Sequence, residues 1–166
     1  MGSVHPLGAW AQLLTRAQKF EISHVRPGPV QCNNEMPRVN SLLEKYQGQN
    51  SFVSQRFETS NTRSGPLQCR SERPRPKKCK DQNTFLHDSF HNVAATCLLP
   101  NRVCRNGQNN CHQSANPIGK TYCKLIRDTD GDCRYSTIPQ YDFYTVACDR
   151  PQPDDVPYPL VPVHLD

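Results

Sequence analysis

A chain of 166 residues fits one domain and leaves little room for a second. With 35% hydrophobic residues, 15 prolines and a mean hydropathy of −0.77, it is too polar and loop-rich to rest on a large core, so cross-links must supplement burial. A net charge of +5 and a pI of about 8.8 favour polyanionic partners (RNA, anionic glycans or bacterial membrane surfaces), and no apolar run reaches the ~20 residues of a membrane span.

The apolar stretch from Pro6 to Leu14 is too short for a complete signal-peptide core, while Leu7-Gly8-Ala9-Trp10 has the look of a leader's tail. Residues 1–9 are therefore read as a leader remnant, with the domain occupying 10–166. Trp10, Leu13, Leu14, Ala17 and Phe20 recur at three- and four-residue spacing, which predicts an amphipathic helix to about His24, stopped by Pro27-Gly28-Pro29. His24 falls on its last turn. Val39, Leu42, Leu43 and Tyr46 predict a second, short helix. From Gln47 to Lys78 polar residues and proline dominate, and the reading there is a mobile excursion whose basic end, Arg70 to Lys80, is read as a solvated linker in preference to a nucleic-acid-binding arm. Phe90, Val93, Ala94, Cys97 and Leu98 predict a third helix ended by Pro100. After it come short β-branched or aromatic runs at 121–126, 134–138, 143–147 and 161–165, separated by turn clusters such as Asp128-Thr129-Asp130-Gly131-Asp132. Helices first and strands later imply an α+β domain with an antiparallel sheet.

The nine cysteines contain no C-x-x-C pair, and Cys104 to Cys111 is too wide for a zinc finger, so disulfides and an oxidising, extracellular compartment are the reading, with no metal. His87 and His91 have i, i+4 spacing that suits metal binding, but without a third ligand they read as a surface face. His112 suggests no role.

Three distant segments each set one ionisable group beside apolar anchors or a cysteine: Lys19-Phe20-Glu21-Ile22-Ser23-His24, Cys79-Lys80-Asp81-Gln82-Asn83-Thr84-Phe85, and Val161-Pro162-Val163-His164-Leu165-Asp166. In this order they resemble the pancreatic-type ribonuclease (ribonuclease A) superfamily over about residues 10–38 and 77–166, with C-K-x-x-N-T-F the most specific part. The run Cys104-Arg105-Asn106-Gly107-Gln108-Asn109-Asn110-Cys111 resembles that family's small disulfide loop. Phe85-Leu86-His87-Asp88-Ser89-Phe90 and Cys111-His112-Gln113-Ser114, with the last segment, are most similar to the ribonuclease k6 branch near the eosinophil ribonucleases.

The resemblance implies three helices on a V-shaped antiparallel sheet, the disulfides Cys32–Cys123, Cys79–Cys133, Cys97–Cys148 and Cys104–Cys111, and an irregular polar and basic insertion at about 41–76. It leaves Cys69 unpaired, as a free thiol, an intermolecular link or a rival of Cys79 for Cys133. It implies a secreted endoribonuclease with no cofactor, cleaving RNA on the 3′ side of pyrimidines through a 2′,3′-cyclic phosphate that water then opens. Two imidazoles suit this chemistry because an unperturbed pKa of about 6.5 lets one ring be neutral and the other protonated. By resemblance His24 is the base, His164 the acid, and Lys80 the cation facing the charge that develops on the phosphoryl oxygens. Asp166 is implied to fix the tautomer of His164, Thr84 with Asn83 beside it to read the pyrimidine, Gln108 and Asn110 to favour a purine on the other side, and Lys19 and Arg105 to hold flanking phosphates. Ser23 stands where the family usually has a glutamine touching the reacting phosphate, which implies reduced turnover. Single-stranded RNA is the implied partner of a monomer, with anionic bacterial surfaces or glycans and a cytosolic ribonuclease inhibitor as further partners, and a host-defence role with storage in granules or lysosomes. The rival reading is a catalytically weak or dead basic antimicrobial protein that binds bacterial membranes or lipopolysaccharide.

Overall fold

The computed structural model describes residues 13–61 and 78–166; the leader remnant at 1–9, Trp10 and Cys69 lie outside them. Helix α1 (Arg16–His24) starts later than the apolar spacing predicts because Thr15 caps it. The Thr15 hydroxyl accepts the Gln18 backbone N–H at 3.0 Å, and the Gln18 side chain accepts the Thr15 N–H at 2.9 Å, a capping box that fixes the first turn. Leu13, expected on the helix, lies before the cap and is exposed. Ala17, Phe20 and Ser23 form the buried face of α1.

Helix α2 (Cys32–Asn61) departs further from expectation. It begins before Val39 and continues through residues 47–61, where an irregular excursion is predicted. Gln, Glu, Lys and Arg carry good helix propensity, so a polar stretch with few breakers propagates a helix without apolar periodicity. Residues 62–76 of the insertion lie outside the described residues. Helix α3 (Phe90–Thr96) is capped by Ser89, whose hydroxyl accepts the Asn92 N–H, and turns at Cys97 before Pro100.

Two three-stranded antiparallel sheets follow. The first, in order β1-β3-β4, comprises β1 (Gln82–Leu86), β3 (Ile118–Thr129) and β4 (Asp132–Asp142). The second, in order β2-β5-β6, comprises β2 (Cys111–Gln113), β5 (Thr145–Asp149) and β6 (Val161–Leu165). The reading missed β1 and β2: Gln82-Asn83-Thr84 is polar, and β2 is only three residues long. Two apolar clusters hold the layers together. Phe20, Val25, Leu86, Val93 and Val146 join α1 and α3 to both sheets, while Met36, Val39, Phe85 and Tyr135 join α2 to the first. The bonds Cys32–Cys123, Cys79–Cys133, Cys97–Cys148 and Cys104–Cys111 are formed. Three of them close long loops and so remove the most entropy from the unfolded chain. Among the described residues the result is a three-helix, two-sheet α+β fold with four disulfides.

Candidate active site

Strand alternation builds the site. On β1, Gln82, Thr84 and Leu86 share one face; on β3, Lys120 and Tyr122 pair with Leu86 and Thr84 on that face, and all five line a cleft of about 960 Å³. Between them Phe85 points the other way and is fully buried. The far wall comes from the second sheet and the Cys104–Cys111 loop: Arg102, Arg105, Gln113, His164 and Asp166. Helix α1 packs against β6, which sets His24 and His164 in the same cleft. Lys80, just before β1, completes the group.

His24 is held firmly. Its Nδ1–H donates to the Thr84 carbonyl at 2.9 Å, which leaves Nε2 as the ring atom with a free lone pair. Burial pulls the imidazole down to about 4, the positive charges of Lys80, His164 and Arg26 push in the same direction, and the hydrogen bond to Thr84 opposes them. The ring is therefore neutral near pH 7. Lys80 is positioned through Asn83, which is buried yet lines the cleft: its Nδ2 donates to the Ser23 carbonyl at 2.8 Å and its Oδ1 accepts Lys80 Nζ at 3.5 Å. The Tyr135 hydroxyl donates to the Lys80 carbonyl at 2.7 Å. Partial withdrawal from water lowers the Lys80 ammonium below its ordinary value.

The second wall is looser. His164 is exposed, and no hydrogen bond to its ring occurs among the described residues. Asp166, implied to orient it, instead accepts the Arg105 backbone N–H at 3.2 Å and 3.3 Å. A metal has no evident seat among the described residues: Cys104, Cys111 and Asp166 cluster within 4.8 Å, but both sulfurs are spent in a disulfide.

Comparison with known proteins identifies the family. The family model of pancreatic ribonuclease matches residues 66–166. The chain is 45% identical over 164 residues to ribonuclease K3 of Sus scrofa, covering 99% of this chain and 86% of that protein. It is 44% identical over 165 residues to ribonuclease K6 of Pan troglodytes and of Homo sapiens, covering 99% of this chain and 88% of each. The chain belongs to the pancreatic ribonuclease family. It is an endoribonuclease of the branch that includes ribonucleases K3 and K6.

In this pancreatic ribonuclease, His24, Lys80, Asn83, Thr84, Arg105, His164 and Asp166 line one cleft. Gln108, Asn110 and Lys19 do not. Gln108 is exposed on its disulfide loop, and the Asn110 amide is committed to the Cys148 carbonyl at 3.3 Å and Asp149 Oδ1 at 3.2 Å. Ser23 is buried and absent from the cleft, its carbonyl anchoring Asn83. His87 lies ahead of α3, its ring nitrogens meeting the Arg26 carbonyl and the Thr121 hydroxyl, so the His87–His91 pairing on one helix face does not arise. His112 is buried, with Nδ1 on the Leu99 carbonyl at 2.7 Å. The sequence reading missed Gln82, Arg102, Lys120, Tyr122 and Phe143 in the cleft. Period-two alternation around Thr84 was the available signal for Gln82; Lys120 and Tyr122 reach the cleft only through the pairing of β3 with β1.

Proposed function

We propose that the protein cleaves single-stranded RNA on the 3′ side of pyrimidines without metal, His24 acting as base, His164 as acid and Lys80 as electrostatic stabiliser. The observation that carries this reading is His24 itself, whose Nδ1–H is held on the Thr84 carbonyl, leaving Nε2 free on a ring that lines the cleft shared with Lys80 and His164. Nε2 takes the proton of the ribose 2′-hydroxyl, the oxygen attacks the adjacent phosphorus, and His164 protonates the departing 5′-oxygen. Water then opens the 2′,3′-cyclic phosphate with the two roles exchanged. Lys80 faces the charge that grows on the phosphoryl oxygens, a contribution larger in the transition state than in the ground state.

Thr84 supports the pyrimidine preference. Its carbonyl serves His24, and the Leu86 carbonyl serves the Arg26 N–H, both on the edge of β1 turned away from β3. In an extended strand a residue's N–H and C=O point to the same edge, so the Thr84 N–H is also outside the ladder, beside its hydroxyl. That donor and hydroxyl match the acceptor and donor edge of uracil or cytosine. Four disulfides and the family favour secretion. The burial of Ser23 favours a slower enzyme, and a basic protein with its main role at anionic bacterial surfaces is the second reading.

The deciding experiment is cleavage, in EDTA, of a fluorogenic RNA containing one pyrimidine by the oxidatively refolded protein beside His164→Ala. A loss of about 10²–10⁴-fold in the variant is the expected result. A folded protein that leaves the RNA intact, yet binds lipopolysaccharide, establishes the second reading instead.

A further inference from the structure

Beyond Thr84 the cleft continues along the first sheet. Thr84 pairs with Tyr122 and Leu86 with Lys120, and β3 then runs to Ile118, opposite Asp142 at the end of β4. Phe143 follows. Lys80 lies at the opposite end of β1, so Thr84 stands between the catalytic cation and Phe143, each two-residue step being about 7 Å. Phe143 lines the cleft and keeps 40% of its surface exposed. Its main chain is held on both sides: the backbone N–H donates to Asp142 Oδ1 at 2.7 Å, and Lys120 Nζ donates to its carbonyl at 2.9 Å. The backbone is thus anchored while the ring borders the cleft.

From this placement we infer that Phe143 is a stacking platform for the base of the nucleotide on the 5′ side of the cleaved pyrimidine, with Lys120 and Asp142 flanking it. The inference rests on the ribonuclease reading of the His24–Lys80–His164 site. The polarity follows from the chemistry. A pyrimidine read at Thr84 sends its 3′-phosphate toward Lys80 and the histidines, so the preceding nucleotide leaves on the other side of Thr84, where Phe143 lies. The ligand is a base more than a phosphate, because Asp142 also lines this end and repels an anion, whereas an aromatic ring accepts the face of any base.

The test compares kcat/KM for ApUpA and UpA, with a third substrate whose first nucleotide is abasic, using the native protein, Phe143→Ala and Phe143→Tyr. The native ratio of ApUpA to UpA is expected at about five- to tenfold, the low end of base stacking on an aromatic side chain. It should fall to near unity in Phe143→Ala, return in Phe143→Tyr, and be lost with the abasic substrate. A ratio that survives Phe143→Ala, or that the abasic substrate retains, overturns the platform. If UpA itself is not cleaved, the ribonuclease reading of the site falls, and the same ratio measured as affinity for the uncleavable 2′-deoxyuridine analogues still decides the role of Phe143.

Discussion

The two walls of the cleft are built to different standards of rigidity. The His24 wall is α1 and the first sheet, where a helix cap, the Thr84 carbonyl and the Asn83 bridge determine where each group sits. The His164 wall is the second sheet and a small disulfide loop, where His164 is exposed and Asp166 is engaged elsewhere. A base must be neutral and aimed before the substrate arrives, and that requires a fixed tautomer and burial. An acid that protonates a departing oxygen works at the solvent boundary, where it can recharge.

The disulfides divide along the same line, and removing them gives the largest test of the contrast. Cys32–Cys123 spans 91 residues of sequence and ties α2 to β3 in the first wall; Cys104–Cys111 spans 7 and closes a loop of the second. Replacing the first pair with alanines should cost about 4–5 kcal/mol, and the second about 2–3 kcal/mol, because the entropy removed from the unfolded chain grows with the loop it closes. Thermal unfolding followed by circular dichroism measures both. Equal losses would mean that the walls do not differ in the way their cross-links suggest.

How much of this was legible beforehand follows the same division. The side chains proposed for catalysis were legible because each sits in a short segment that resembles the family, Lys80 within C-K-x-x-N-T-F, His24 in K-F-E-I-S-H and His164 in V-P-V-H-L-D. Gln108 and Asn110 looked equally placed, yet whether a loop faces the cleft or turns outward depends on where Cys148 and Asp149 lie, some 40 residues on. The Thr15 cap was readable as T-x-x-Q, whereas the apolar spacing that suggested an earlier start was not decisive. Lys120 lies just outside the predicted strand at 121–126 and Phe143 reads as an ordinary strand residue, because only the pairing of β3 with β1 and β4 brings this end of the first sheet to the cleft.

The acid side of the pH range sharpens the contrast next. Unfolded, the His24 ring titrates near 6.5; folded, it stays neutral down to about 4. As pH falls through that window the unfolded chain takes up a proton that the folded chain refuses, so His24 alone should cost about 3 kcal/mol of stability by pH 4. Glu35 works in the same direction. Burial raises its pKa, but its hydrogen bond to Arg26 at 2.8 Å and the charges of Arg26 and Arg38 outweigh burial and leave it below its ordinary value. The stability that Glu35 contributes is present above its unfolded pKa and is lost as pH falls through the folded one. Urea unfolding at pH 7 and pH 4 should show the drop, and the acid limb of kcat/KM should lie near 4, where His24 gains its proton. An acid limb near 6.5 would mean that the His24 ring is as open to water as it is in the unfolded chain.

The smallest expected effect concerns Asp166. If its carboxylate oriented the His164 ring, removing it would release the wrong tautomer and cost far more than a hydrogen bond to a loop. Its partner here is the Arg105 N–H, a contact that steadies the mouth of the Cys104–Cys111 loop at the edge of the site. Asp166→Ala should therefore lower kcat by only a few-fold, with KM rising as Arg105 loosens. A fall of a hundredfold in kcat at constant KM would show that the carboxylate swings onto His164 when RNA binds, and that the second wall acquires on substrate binding the order that the first wall already has.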